Sequence, residues 1–187
     1  EMPGVVVHRF DANRGKRHAQ GYAFARTASD IVVTVDSDTV LDASAIAEGL
    51  RPFGDPKVTA VAANVRALNH RRNLLTRLID MRYANAFLFE RAAYSTVGSV
   101  VCCCGSLSFF RTAVVRRHLD DFLHQSFLGI QVQYGDDRRL TQYALQDGLV
   151  RLQDTAVAYT LVPETLGHYR RQQLRWNRSF FRESLWA

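Results

Sequence analysis

A short apolar run that ends on a carboxylate constrains this chain most. Ile31-Val32-Val33-Thr34-Val35 is mostly β-branched and reads as a buried strand. The run stops at Asp36, and Asp38 stands one residue further on. The C-terminal ends of strands in an open α/β sheet are where ligands bind. Two carboxylates on one turn repel each other unless a cation lies between them. With one, they offer hard oxygen ligands that suit Mg2+ or Mn2+, ions that usually also hold substrate phosphates. The residues alone leave a second reading open, in which Asp36 or Asp38 caps a helix starting near Asp42-Ala43-Ser44.

The 187 residues are enough for one domain with a sizeable core. The formal charge of +6 suits an anionic partner: nucleic acid, a sugar nucleotide or a membrane surface. The chain opens on Glu1 and closes at Trp186-Ala187 inside helix-like sequence, so it reads as a piece of something longer. No signal peptide opens it, and no run of 18 apolar residues occurs. Cys102, Cys103 and Cys104 are adjacent and are the whole cysteine content. Neighbouring cysteines do not form ordinary disulfides, which argues for a reducing compartment. They read as small buried residues in a strand, without the spacing of a zinc site.

Along the chain, Val5–Phe10 reads as a strand and Asn13–Arg17 as a turn. A small-residue helix follows to about Thr27, then the strand ending at Asp36. That order is the strand–helix–strand unit of a parallel sheet. A helix is expected at about 43–51 and a strand at 58–65. Asn73–Ser95 has helical spacing, with Leu74, Leu78, Met81 and Leu88 near one face and several arginines around it. Val97–Cys104 and Ser106–Phe110 read as extended, Thr112–Leu119 as a short helix and 120–135 as a loop. A helix over 138–147 is expected to stop at Gly148. Two short strands, Leu149–Gln153 and Ala156–Leu161, precede a basic, aromatic helix from Glu164 onward.

Three further clusters carry candidate chemistry. Asn13-Arg14-Gly15-Lys16-Arg17 gathers cations and free backbone N–H groups at a helix start, where a phosphate could sit. Gly135-Asp136-Asp137-Arg138 is a second carboxylate pair, on a tight turn, and offers a general base for a sugar hydroxyl. Gln172-Gln173-Leu174-Arg175-Trp176 offers an arginine fork for a diphosphate and an indole face for a sugar ring. Each has a plainer reading: a solvated basic turn, a helix cap, and an amphipathic helix with a core tryptophan.

In order, Asp36-Ser37-Asp38-Thr39, Gly135-Asp136-Asp137-Arg138-Arg139-Leu140-Thr141 and Gln172-Gln173-Leu174-Arg175-Trp176 resemble the D-x-D, (E/D)-D and Q-x-x-R-W signatures of processive family 2 glycosyltransferases. Asn73-Leu74-Leu75-Thr76-Arg77-Leu78, Glu90-Arg91-Ala92-Ala93 and Arg175-Trp176-Asn177-Arg178-Ser179-Phe180-Phe181-Arg182-Glu183-Ser184 are similar to membrane-embedded hyaluronan synthases, with chitooligosaccharide and chitin synthases next. The resemblance covers nearly the whole chain.

The resemblance implies an α/β GT-A fold and inverting transfer from UDP-GlcNAc or UDP-GlcA to a growing β-linked polysaccharide. It implies that Asp36 and Asp38 bind the diphosphate through Mg2+ or Mn2+, with Asp38 the more direct ligand, and that Lys16 lies near the nucleotide. Asp137 would be the base, with Asp136 supporting it. Arg175 would contact the diphosphate, Trp176 would platform the acceptor sugar, and Gln172 would help close the site. Cys103 and Gly105 match the acceptor-side loop, where the family's glycine is usually followed by proline and this chain has Ser106. Residues 1–187 would be part of a catalytic domain on the cytoplasmic face of the cell membrane. The family's first strand, with its own aspartates for uridine, would precede residue 1. Residues 73–95 and 164–187 would be amphipathic interfacial helices, with transmembrane helices flanking the domain.

The competing class is a basic module that binds RNA or acidic membranes. It accounts for the charge and the arginine–aromatic helices, but not for three carboxylate- or arginine-bearing motifs in family order. No nucleic-acid partner is expected.

Overall fold

The computed structural model describes residues 4–186. After the turn at Asn13 come α1 (Gly15–Arg26), β1 (Ile31–Val35), β2 (Thr39–Leu41) and α2 (Ala45–Leu50), which runs into a 3-10 turn, Arg51–Gly54. β3 (Val58–Ala67) leads to α3 (Leu74–Asn85), a π-helical turn (Ala86–Arg91) and α4 (Ala92–Thr96). Then follow β4 (Leu107–Arg111), α5 (Thr112–Arg117), α6 (Leu119–His124) and a small hairpin of β5 (Ser126–Phe127) and β6 (Ile130–Gln131). α7 (Asp136–Asp147), β7 (Leu149–Thr160) and α8 (Leu166–Trp186) complete the chain.

Five strands form one mixed sheet in the order β1-β4-β3-β7-β2. β3 lies at its centre because its sequence is apolar on both sides. Ala60 and Ala62 face a layer with Phe24 of α1, Val114 and Val115 of α5, Phe122 of α6 and Leu140 and Tyr143 of α7. Val61 and Ala63 face the opposite layer, with Ala45 of α2, Phe109 and Ala158. A strand covered on both faces reads as a continuous apolar run rather than an alternation.

Five expectations are corrected. No strand forms over Val5–Phe10: Val5, Val6 and Val7 are exposed, and the His8 ring stacks on Tyr22 of α1 at 3.6 Å between centroids. Among the described residues β1 pairs only with β4, so one of its edges is open there, and a segment without a neighbouring strand has no ladder to join. The parallel unit expected around α1 is therefore not formed among the described residues. β1 runs antiparallel to β4, and the parallel pair is β3 with β7.

The two short strands expected at 149–161 are one strand, β7. Its register against β3 slips between Ala63 and Asn64, and Asn64 Nδ2 donates to the Asp154 carbonyl at 3.1 Å in the resulting bulge. The cysteines lie in irregular backbone before β4 rather than in a strand, with Cys102 and Cys103 buried. The stretch 120–135, expected as a loop, holds most of α6 and the β5–β6 hairpin.

The helical spacing over 73–95 is realised with a change of pitch. Asn73 starts α3 with a capping box: its side chain accepts from Thr76 N, and Thr76 Oγ1 accepts from Asn73 N. Ile79 and Phe87 turn inward, whereas Leu74, Leu78, Met81 and Phe89 remain exposed. Arg82 ties this helix to α8, donating to Gln173 Oε1 at 2.6 Å and to the Tyr169 hydroxyl at 3.0 Å. No helix of the described residues is long and apolar enough to cross a membrane.

Candidate active site

β1 delivers Asp36 to a tight turn, closed by Thr39 N–H donating to the Asp36 carbonyl at 3.1 Å. Neither Asp36 nor Asp38 caps α2. The N-cap is Ser44, and Asp42 accepts from Ser44 N at 3.1 Å in the turn before it, a bond that holds the Asp42 carboxyl below the usual range. Asp36 forms an ion pair with Lys16, from the first turn of α1. Asp38 is exposed.

Gly105 closes this corner from the other side. A methyl on its Cα would stand 2.8 Å from Asp36 Oδ2 and 2.9 Å from Lys16 Nζ. Only a residue without a side chain lets the backbone approach the pair so closely. The preceding cysteines are tied to α7: Cys103 N–H donates to Thr141 Oγ1 at 2.9 Å, and Thr141 Oγ1 donates to the Asp137 carbonyl at 2.7 Å. Burial pushes the Cys102 thiol up to about 12, that of Cys103 well above its usual value, and that of Cys104 in the same direction. All three are neutral packing groups at physiological pH rather than nucleophiles.

α7 begins at Gly135, whose left-handed φ of +98° turns the chain sharply into the helix. A Cβ there would overlap Ser179 Oγ and the Arg182 guanidinium of α8. Asp136 faces inward and is buried. Arg17 Nε and Nη2 both reach its Oδ1, at 2.8 and 2.7 Å. Asp137 forms no ion pair among the described residues. Burial holds its carboxyl above the usual carboxylate range, opposed by the charges of Arg138 and Lys16 and by the Arg138 N–H, and assisted by Asp136. Lys16 therefore lies within electrostatic reach of both Asp36 and Asp137, and Cys104 likewise feels both.

α8 packs across the same turn. Arg175 lines an open cavity of about 270 Å³ with Tyr134, Arg171, Leu174 and Arg178. Tyr134 is three residues before Asp137, and its carbonyl accepts from Arg182. Trp176 is partly buried, and the buried residues of α8 are instead Ser179, Arg182 and Glu183. Gln172 Oε1 is buried without a hydrogen-bond partner among the described residues.

Of the residues singled out from sequence, Lys16, Asp36, Gly105 and Asp137 are gathered by contact or charge, Asp136 is pinned beside them, and Cys103 is bonded to the helix that carries the pair. Asp38 and Trp176 make no hydrogen bond or ion pair with the others.

Sequence reasoning passed over Arg17, Thr141, Arg91 and Glu183. Arg17 reads as one more cation in a basic turn, although it is 5% exposed. Arg91 Nε donates to the Cys102 carbonyl at 3.2 Å and steadies the cysteine loop from the π turn. Glu183 sits between Arg139 and Arg182. The only available signal was a polar residue at an inward helical position, such as Thr141 one turn after Asp137.

Comparison with known proteins gives the family and the fold. A model described as "Glycosyltransferase like family 2" matches residues 1–179. A hyaluronan synthase from Streptococcus pyogenes is 49% identical over 181 residues, covering 97% of this chain and 43% of that protein. An N-acetylglucosaminyltransferase from Azorhizobium caulinodans is 43% identical over 183 residues, covering 97% of this chain and 46% of that protein. The chain thus spans less than half the length of these relatives. A solved mannosyltransferase from Pyrobaculum calidifontis, in complex with GDP-Man and Mn2+, superimposes with a TM-score of 0.64 at 21% identity, over 92% of this chain and 43% of that one. That likeness gives the fold, which is GT-A-like. With a family match over almost the whole sequence and near-half identity to these synthases, the chain belongs to glycosyltransferase family 2 and is closely related to the hyaluronan synthases.

Proposed function

We propose that the protein carrying this chain transfers sugars from UDP-GlcNAc and UDP-GlcA to the end of a growing β-linked polysaccharide, as a hyaluronan synthase. The observation that carries the reading is the junction of Lys16, Asp36 and Gly105, within charge range of the part-buried Asp137. Asp137 takes the proton of the acceptor hydroxyl as that oxygen attacks the anomeric carbon, and the bond from that carbon to the phosphate oxygen breaks. Burial raises its affinity for a proton, which strengthens it as a base. UDP departs with its bonding electron pair, and Arg175 and Lys16 offset the charge.

The donor set fits a hard divalent cation. Asp36 and Asp38 supply carboxylate oxygens, and Lys16 takes only Asp36 Oδ1, which leaves Oδ2 for the cation. No third His, Cys, Asp or Glu joins them among the described residues, so donor phosphate oxygens and water would complete the shell, the usual habit of Mg2+. Such a cation, Mg2+ or Mn2+, would neutralise the leaving diphosphate. The solved mannosyltransferase of the same fold holds Mn2+ and a nucleotide sugar, which supports this reading.

Residues 1–187 are part of a catalytic domain whose sheet continues beyond β1. The open β1 edge and the unpaired Val5-Val6-Val7 support a further strand there. Residues 73–95 and 164–187 lie at a membrane surface on the cytoplasmic side; Ala187 is outside the described residues. The exposed Leu74, Leu78, Met81 and Phe89, beside Leu174, Phe181 and Leu185 on α8, support that placement, because apolar and arginine residues share both helices. In this reading residues 1–187 alone bind UDP weakly and make no polymer.

The likeness to N-acetylglucosaminyltransferase favours a second product, a chitin oligomer. Incubating the full-length protein in detergent with UDP-GlcNAc, with and without UDP-GlcA, and digesting with hyaluronidase or chitinase separates the two. Hyaluronidase-sensitive polymer that needs both donors is expected. Polymer from UDP-GlcNAc alone would replace hyaluronan with chitin.

A further inference from the structure

We propose that Arg17 is a positioning residue for transfer: clamped on Asp136, it fixes the first turn of α7 and screens Asp137 from the charge of Asp136. The proposal rests on Asp137 being the base. Arg17 and Lys16 are consecutive on the first turn of α1, and they reach the two carboxylate motifs separately, Lys16 to Asp36 and Arg17 to Asp136. One helical turn thus spans the cation corner and the base corner.

The Arg17–Asp136 pair is nearly dry, with side chains 6% and 8% exposed, and the guanidinium lies over the Phe122 ring at 5.2 Å. Nε donates to Asp136 Oδ1 at 2.8 Å and Nη2 stands 2.7 Å from the same oxygen, which pins that oxygen against the guanidinium. Removing two such groups from water costs about as much as their attraction returns. Stability alone is therefore a weak reason for the pair, and orientation is the better one.

The groups around Asp137 make its charge state sensitive to this clamp. Asp136 and Arg138 approach it from α7, Lys16 from α1, and Cys102 and Cys104 from the loop before β4. α8 meets the same turn through Ser179 and Arg182 at Gly135. With Arg17 present, the repulsion of Asp136 on Asp137 is partly offset, and Asp136 raises the carboxyl less than burial does. Without it, Asp136 repels the ionised form of Asp137 and the base holds its proton to higher pH. Without Asp136, Arg17 favours the ionised form and the base loses its proton at lower pH.

The test is the pH dependence of kcat in the full-length protein for Arg17→Met, Arg17→Lys and Asp136→Asn. Arg17→Met should lower kcat by about tenfold or more at neutral pH, with donor KM within about twofold. Its acid limb should move up by about half a pH unit or more. Arg17→Lys should restore the limb, and Asp136→Asn should move it the opposite way. A folded Arg17→Met variant with an unmoved limb would overturn the proposal, as would limbs that move the same way in Arg17→Met and Asp136→Asn. If Arg17→Met fails to fold, Arg17→Lys and Asp136→Asn decide: a downward shift in Asp136→Asn with a wild-type limb in Arg17→Lys supports the clamp, and any other pair of results rejects it. Substantial transfer by Asp137→Asn would instead remove the base assignment.

Discussion

Gly105 lies against the Asp36 carboxylate. The 2.8 Å that a methyl on Gly105 would leave to Asp36 Oδ2 is shorter than real carbon contacts allow, so Gly105→Ala must displace the carboxylate or the Lys16 ammonium. Both side chains keep substantial exposure, at 34% and 50%, so they can swing away at little cost to the fold. Gly105→Ala is expected to weaken binding of UDP with Mn2+ by about tenfold, equivalent to about 1.4 kcal/mol. Calorimetric titration reads the affinity and thermal unfolding the stability. Unchanged affinity would mean that the corner does not hold the donor.

Asp137 opposes folding at neutral pH. Its folded-state proton affinity is raised, chiefly by burial, so its favourable contribution is complete at low pH and is lost as pH rises through the folded-state value. Asp137→Asn cannot ionise. The variant is expected to abolish transfer and yet unfold at a higher temperature than the parent at pH 7 to 8, by about 2–4 °C for a gain of about 1 kcal/mol. Near pH 3, where the parent's carboxyl is protonated, the difference should vanish. A variant less stable at every pH would show that the ionised carboxylate is satisfied by partners and carries no penalty.

Glu183 is expected to be the most costly single charge to remove. One of its oxygens accepts from Gln125 Nε2 at 2.9 Å and Arg182 Nε at 2.8 Å; the other stands 2.8 Å from Arg139 Nε. Arg139 is also capped by Trp186, 3.6 Å from the ring centroid. Glu183→Gln leaves the buried Arg182 guanidinium without a counter-charge and Arg139 with only Asp121, 3.8 Å away, at a cost of about 3–5 kcal/mol. Urea unfolding should show that loss. Limited proteolysis should find α8 opened first, because its buried residues are these charged ones rather than an apolar stripe. A loss below about 1 kcal/mol would mean that α8 is held by other contacts.

The difference between what was legible and what was not follows from these side chains. Ile31–Asp36 announced itself because a β-branched run ending on aspartate has few other uses. Gly135 did so because a sharp entry into a helix needs a left-handed residue. Arg17, Arg139 and Glu183 were illegible because charge predicts exposure, and nothing local tells a chain that a partner waits elsewhere. The Arg17–Asp136 contact joins residues 119 positions apart. Val5–Phe10 misled for the converse reason: its residues favour a strand, but strand formation depends on a neighbour that local sequence does not describe. The bulge in β7 and the π turn after Asn85 are changes of register, which a periodic pattern read over short windows cannot locate.

That π turn leads to the last prediction. Widening the helix at Ala86–Arg91 breaks the regular hydrogen-bond ladder, and such turns often occur at functional sites. Here a single guanidinium deals with the consequence. Arg91 Nη1 donates to the Ala86 carbonyl at 3.1 Å, Arg91 Nε donates to the Cys102 carbonyl at 3.2 Å, and the group lies 4.2 Å from the Phe87 ring centroid. Lysine keeps the charge but has one compact donor head, which cannot span two carbonyls and an aromatic face. Arg91→Lys should therefore leave one part-buried carbonyl unpaired and lose about 1–3 kcal/mol, a lower Tm at unchanged helix content by circular dichroism. Because Cys102 opens the loop that ends at Gly105, the affinity for UDP with Mn2+ should fall in the same variant. A lowered Tm with full affinity would confine Arg91 to the helix; a lowered affinity with a normal Tm would place its role entirely in the loop.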